Sequence, residues 1–253
     1  MIIAVSGKGG TGKTTISALI IKHLTENGKV LLVVDADPNT NLDIKLGAKV
    51  ERTIGDLREG FLEDTLPSGI SKMEYMDYQM NLALSENEKF DLLTIGRPEG
   101  SGCYCYANNV LRVFLDKLSS RYEYVVIDNE AGMEHLSRRT TNDVDILFVV
   151  ALPSMQDVLT SKRIKDLANE LELKIKDIDL IVNSVKGDIP ERVKEAIKPD
   201  FDDYHTVPYD EKVNELNSLG EPLLNLSLDS AAYKAIGEIL GGVIEERRAT
   251  NLK

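Results

Sequence analysis

The sequence predicts an α/β fold: one domain over 1–253, built on a mostly parallel, doubly wound sheet flanked by helices. Three observations predict it. Short runs that are apolar on both faces recur along the chain, as buried parallel strands require. Helical patterns lie between most of them. The first run leads through a cluster of glycines straight into a helix, the start of a strand–helix–strand unit with a right-handed crossover.

The elements follow in order. Ile2–Ser6 is the first strand, and a helix runs from about Lys13 to Asn27, where Gly28 is a plausible stop. Lys29–Asp35 (KVLLVVD) is a second buried strand. Further strands are expected at Leu92–Ile95, Tyr124–Asp128, Ile146–Ala151, Ile178–Asn183 and His205–Val207. Helices are expected at about 108–120, 155–172, 190–198 and 228–247. The segment Glu51–Phe90 is more polar and less regular, and reads as an insertion of short helices and loops. Repeats and low-complexity linkers are absent from the sequence.

Composition narrows the function classes. The chain of 253 residues carries 30 basic and 42 acidic residues, a formal charge of -12, which disfavours non-specific nucleic-acid binding. It contains no apolar run long enough to predict a membrane span. The start MIIAVSGKGG lacks the basic and apolar regions of a signal peptide, so a cytoplasmic location is expected. With two cysteines only, Cys103 and Cys105, a disulfide framework is ruled out.

Gly7-Lys8-Gly9-Gly10-Thr11-Gly12-Lys13-Thr14 matches G-x-x-x-x-G-K-S/T, with the strand before and helix after that a phosphate loop needs. Glycines let backbone N–H groups turn toward a phosphate, and the helix start adds its positive end. Lys13 is placed to reach β- and γ-phosphates, and the Thr14 hydroxyl to meet Mg²⁺; Thr15 completes the binding run. Asp35 and Asp37, in DADPN, and Asp128, ending YVVID, lie at the carboxyl ends of strands, where a ligand crevice opens. Such carboxylates can orient metal-bound and attacking waters, and Gly132 closes D-x-x-x-G after Asp128. The fold class is thus a P-loop NTPase. Asn183 in LIVNSVKGD is placed to bond an adenine edge, and Lys186 stands where a guanine-binding N-K-x-D motif needs an aspartate, so ATP is expected over GTP.

Gly102-Cys103-Tyr104-Cys105 offers two soft ligands per chain. Thiols two residues apart point to one side of an extended segment. A two-fold dimer supplies four, which suits tetrahedral Zn²⁺, and thiolates also take Ni²⁺, Cu(I) or iron–sulfur clusters. Unreactive loop cysteines or a regulatory disulfide fit the spacing as well.

With its extra, early lysine, Lys8, KGGTGKT resembles the deviant phosphate loop of the family that contains septum-positioning ATPases, partition ATPases and the nitrogenase iron protein. The resemblance implies that Lys8 reaches the nucleotide of a second subunit, so that ATP holds a homodimer together. It implies too that Asp37 positions the attacking water and Asp35 holds a metal-bound water. Pro208-Tyr209-Asp210 is similar to the family's loop that lines adenine with backbone groups, which adds Pro208 and Tyr209 to the site. GKGGTGKTT, DADPN, GCYC and AGMEHLSRRT together resemble the carbon monoxide dehydrogenase accessory ATPases, along essentially the whole chain. That resemblance implies nickel, or zinc, bound by Cys103 and Cys105 of both subunits. It implies a client nickel enzyme, carbon monoxide dehydrogenase or acetyl-CoA synthase. Glu134, His135 and Arg138 would then relay nucleotide state to the metal.

Three rival functions fit the sequence less well. An iron–sulfur electron donor would need a cysteine within Asp128–Gly132, and none is there. A membrane-positioning ATPase would use the stripe Ile236, Ile239, Leu240, Val243 and Ile244, but the basic face is missing, and a helix packed on the core is the expectation. A DNA-partition role is disfavoured by the acidic balance.

Overall fold

The computed structural model describes residues 1–57, 69–97, 105–131, 144–201 and 204–250. Its strands are β1 (Ile2–Gly7), β2 (Leu31–Ala36), β3 (Leu84–Glu86), β4 (Asp91–Thr94), β5 (Tyr124–Asn129), β6 (Val144–Ala151), β7 (Ile175–Val185) and β8 (Tyr204–Pro208). The helices are α1 (Lys13–Glu26), α2 (Leu42–Leu46), α3 (Lys72–Ala83), α4 (Cys105–Leu118), α5 (Met155–Glu170), α6 (Glu191–Ile197), α7 (Glu211–Leu219) and α8 (Ala231–Thr250).

The strands form one sheet of eight in the order β3-β4-β2-β5-β1-β6-β7-β8. Only β3, paired with β4, runs antiparallel among the described pairings. The central strands β1, β2 and β5 are buried on both faces apart from a half-exposed Ile2, which explains their unbroken apolar sequences. Successive strands grow from β1 first toward β2 and later, through β6, to the other side. The switch in direction opens a crevice at the carboxyl end of β1, where a ligand is expected in such sheets.

One face is covered by α1 and α8, whose buried Ile16, Leu19, Ile20, Ile236 and Leu240 share a core with Ile3, Val33, Val126 and Phe148. Ten residues of α1 are buried, because it lies between the sheet and α8. The stripe at the C-terminus therefore packs inward: Ile236 and Leu240 are fully buried, and Ile239 and Val243 nearly so. No helix among the described residues is long and apolar enough to cross a membrane. The other face carries α3, α4 and α5 on a second core of Leu32, Val34, Leu111, Leu115, Val125 and Leu147.

Where it is described, the segment read as an insertion of short helices and loops contains the helix α3 and, beyond that reading, a strand. Ser71 caps α3 and Glu74 reaches back to the cap, the reciprocal box encoded by S-x-x-E. A short edge strand, β3, follows at once. Two short helices, α2 and α7, also escaped the sequence reading.

Candidate functional site

At the end of β1 the chain turns through Gly7–Gly12 into α1. Gly12 occupies the cap position with a left-handed φ of 91°, and no side chain caps the helix. The first-turn N–H groups are thus left for a ligand, and the first turn contains no acidic residue to compete. A Cβ at residue 12 would lie 2.4 Å from Asn183 Nδ2, so only glycine lets the loop sit against β7. The Lys8 carbonyl gathers the loop: it accepts from the Thr11 hydroxyl at 2.9 Å and from Lys13 Nζ at 3.4 Å.

Lys13 is buried, and burial lowers its pKa against the pull of Asp128, Asp37 and Glu130. Asp35 and Asp128 are in register on the adjacent strands β2 and β5, and both are buried. Burial, reinforced by the charge of Asp128, pushes the Asp35 carboxyl up to about 8. Burial likewise raises Asp128 to about 6, although hydrogen bonds from Thr14 and Ser17 and the charge of Lys13 work in the other direction. Ser17 Oγ donates to Asp128 at 2.8 Å. Asp35 accepts from the backbone N–H of Asp37 at 3.1 Å and of Leu42 at 3.2 Å, which pins the loop after β2. Asp37 is half-exposed and accepts from both N–H and Nδ2 of Asn39.

Two connected lobes make the cleft. The larger, about 590 Å³, is lined by Gly9, Gly10, Gly12, Lys13, Thr14, Thr15, Asp37, Asn41, Lys45 and Ala131 among others. The smaller, about 180 Å³, is lined by Thr11, Thr15, Asn183, Pro208, Tyr209 and Val213 among others. A glycine-walled cationic lobe beside a mixed apolar and amide lobe matches the two ends of a nucleotide. Asn183 reaches the loop from the stretch of β7 where the register with β8 shifts, between Val182 and Val185. Its Nδ2 donates to the Thr11 carbonyl at 2.9 Å and its Oδ1 accepts from Ser184 N–H at 2.8 Å. One N–H and one lone pair of the carboxamide remain for a base edge. Asp210, in contrast, is occupied: it caps α7 and accepts from the Ser230 hydroxyl.

The sequence-predicted phosphate and base residues are therefore brought together around one cleft. Lys8 points elsewhere. Its Nζ pairs with the buried Asp157 at 2.8 Å, within the same chain. Asp157 was not anticipated, although Ser154-x-x-Asp157 is the signature of the cap that positions it at the start of α5. Ser17, Lys45 and Asn217 were missed as well. Cys103, Gly132, Glu134, His135 and Arg138 lie outside the described residues. Cys105 is the first residue of α4, so it belongs to a helix and the extended C-x-C segment expected from the spacing does not reach it.

Residues 2–223 match the family model described as the CobQ/CobB/MinD/ParA nucleotide binding domain. The chain belongs to this family. It is 46% identical over 252 residues to an ATP-binding protein of Methanocaldococcus jannaschii, covering 98% of this chain and 100% of that one. It is 31% identical over 241 residues to the carbon monoxide dehydrogenase accessory protein CooC of Rhodospirillum rubrum, covering 90% of each. Among solved structures, septum site-determining protein MinD from Pyrococcus horikoshii, complexed with Mg-ADP, is similar in fold: TM-score 0.69 at 23% identity, over 94% of this chain and 95% of that one. The protein is an ATP-binding P-loop ATPase of the MinD/ParA type.

Proposed function

We propose that this ATPase is a dimer-forming maturation factor that delivers nickel to carbon monoxide dehydrogenase or the related acetyl-CoA synthase. The observation that carries the reading is a conjunction. A C-x-C pair, Cys103 and Cys105, sits on a chain 31% identical to a carbon monoxide dehydrogenase accessory protein over 90% of its length. The metal is cargo, held by four thiolates when two chains meet.

In this reading the nucleotide site runs the cycle. Lys13 and the N–H groups of Gly9, Gly10, Thr11, Gly12, Thr14 and Thr15 hold the phosphates. The acid row fits a divalent cation: buried carboxylates with raised pKa values gain most from one nearby, and Thr14 already bonds Asp128. Mg²⁺ beside Thr14 would neutralise phosphate charge, while Asp128 and Asp35 orient its waters. Asp37 positions the attacking water. Asn183, Pro208 and Tyr209 hold the base. Lys8 must leave Asp157 before it can serve a second subunit's nucleotide, so its role in a dimer starts with breaking a contact inside one chain.

A septum- or partition-type role is the alternative, since MinD proteins are also relatives, at 26% identity for that of Synechocystis over 96% of this chain. The inward packing of Ile236 and Leu240 leaves that stripe unable to dock on a membrane. The deciding experiment is metal stoichiometry per dimer, by equilibrium dialysis with Ni²⁺, with and without ADP and an ATP analogue. One nickel per dimer, lost on Cys103→Ala or Cys105→Ala and altered by nucleotide, is the expected result. Saturation at one metal per monomer, or binding that survives loss of both cysteines, would overturn it.

A further inference from the structure

We infer that Lys45 is a further nucleotide-binding residue, a cation that meets the nucleotide at the junction between base and phosphates; this rests on reading the cleft as the nucleotide site. The helix that carries it, α2, directly follows the loop of Asp37–Asn41. Leu42 and Leu46 are buried in the core, which turns Ile44 and Lys45 outward, and both line the large lobe. The helix is held at both ends. Its first N–H, of Leu42, donates to Asp35. At its last turn Gly47 has a φ of 65° and presses on the turn after α7, where an added Cβ would lie 2.8 Å from Pro222 Cγ.

Lys45 Nζ donates to Asn217 Oδ1 at 2.5 Å. Asn217 fixes the ammonium's place in the cleft. The two lobes share Gly10, Gly12, Thr15 and Asn217 and so meet there. A nucleotide lying through both lobes passes this point at its ribose and first phosphate. Burial lowers the pKa of Lys45, with Asp128 pulling the other way, so its ammonium is poorly hydrated. A poorly hydrated cation with a neutral partner gains more from an approaching phosphate than one already paired with a carboxylate. Lys8, tied to Asp157, is of the second kind. Lys45 therefore adds a positive charge from the chain's own subunit, beside Asn217 where the two lobes meet. It acts on binding of ADP and ATP alike.

The test compares Lys45→Gln with Lys45→Arg in the full chain by calorimetric titration with Mg-ADP and with adenosine. Gln keeps an amide donor toward Asn217 but removes the charge; Arg keeps the charge. If Lys45 meets phosphate, Lys45→Gln weakens ADP by about tenfold, leaves adenosine unchanged, and flattens the salt dependence of ADP binding. Lys45→Arg recovers most of the loss, and in steady-state hydrolysis the Gln variant's defect falls in KM. Equal ADP affinity for Lys45→Gln and the unaltered protein would overturn the inference. So would equal weakening of ADP and adenosine, since that marks a strut between α2 and α7. Failure of the unaltered protein to bind ADP would instead refute the nucleotide reading of the cleft.

Discussion

The two edges of the same sheet solve opposite problems. At the amino ends of the strands, charges are paired and lie near the surface: Lys29 with Glu123 at 2.6 Å, Lys176 with Asp145 at 2.7 Å, and Lys89 with Glu26 at 3.1 Å. The backbone is tied down as well, through Ile2 N–H to Asp145 and Met1 to the Glu123 carbonyl. At the carboxyl ends, Asp35, Asp128 and Lys13 are buried together, and the chain bends through left-handed positions at Gly10, Gly12, Thr40 and Ser184. One edge closes the fold. The other holds charges whose full neutralisation waits for a ligand, which is how a binding site differs from a stable surface.

The largest expected effect breaks the costly edge. Lys13→Ala should lower affinity for Mg-ATP by at least about a hundredfold, since a buried, charge-assisted contact to phosphate is removed. Stability of the nucleotide-free protein should fall little, because the desolvated ammonium makes one long hydrogen bond to the Lys8 carbonyl. Calorimetric titration and chemical denaturation check the pair of outcomes. Intact ATP affinity would end the contrast between the edges.

An intermediate effect separates the edges by pH. Asp35 is raised in the folded state, so without nucleotide or metal it binds more protons folded than unfolded between about 4 and about 8. Its contribution is complete below the unfolded carboxylate range and is lost as pH rises toward about 8. Asp145 works the other way. Burial pushes it up, but Lys176, the Ile2 N–H and the chain's terminal amine outweigh that and leave it below its ordinary value. Its contribution is present above the unfolded value and is lost only in acid. Denaturation curves from pH 4 to 8 should therefore show stability declining with pH. Asp35→Asn should flatten the decline, and Asp145→Asn should leave it intact while altering the acid limb. A decline unchanged in Asp35→Asn would show that the carboxyl end is not the strained one.

Sequence alone revealed the two edges unequally. The carboxyl edge was legible because phosphate chemistry demands glycines, a lysine and a threonine at fixed spacing, and because strand-ending aspartates stand out against apolar runs. The packing of α8 was also legible, from its missing basic face. Asp157 and Lys45 were not. Each acts through a partner distant in sequence, Lys8 across 149 residues and Asn217 across 172, and periodicity holds no information about such pairs. The helices α2 and α7 escaped because at five and nine residues they are too short to show a repeat. The strand β3 was hidden by its polarity: as an edge strand of three residues it needs no apolar run. Asn183 was expected as a base contact from its place at a strand end, but its bond to Thr11 goes with a register shift that no local pattern announces.

The smallest expected effect tests the quiet edge. Lys29 pairs with Glu123 while both remain partly exposed, 27% and 49%, and its ammonium lies 5.8 Å from the Tyr124 ring centre. Water screens such a pair, and ordering two long side chains offsets much of the attraction, so its net contribution is about 0–1 kcal/mol. Lys29→Met keeps the aliphatic stem against the Tyr124 ring and removes only the charge. In a domain of this size, 1 kcal/mol moves Tm by about 2–4 °C, which bounds the expected shift. ATP affinity should not change, because the substitution lies at the opposite end of the strands from Lys13. Added salt should erase the small difference in stability, as it does for exposed pairs. A shift well beyond that bound, or one that persists in high salt, would mean that the amino edge also stores energy in its charges, and the division of labour between the two ends of the sheet would fail.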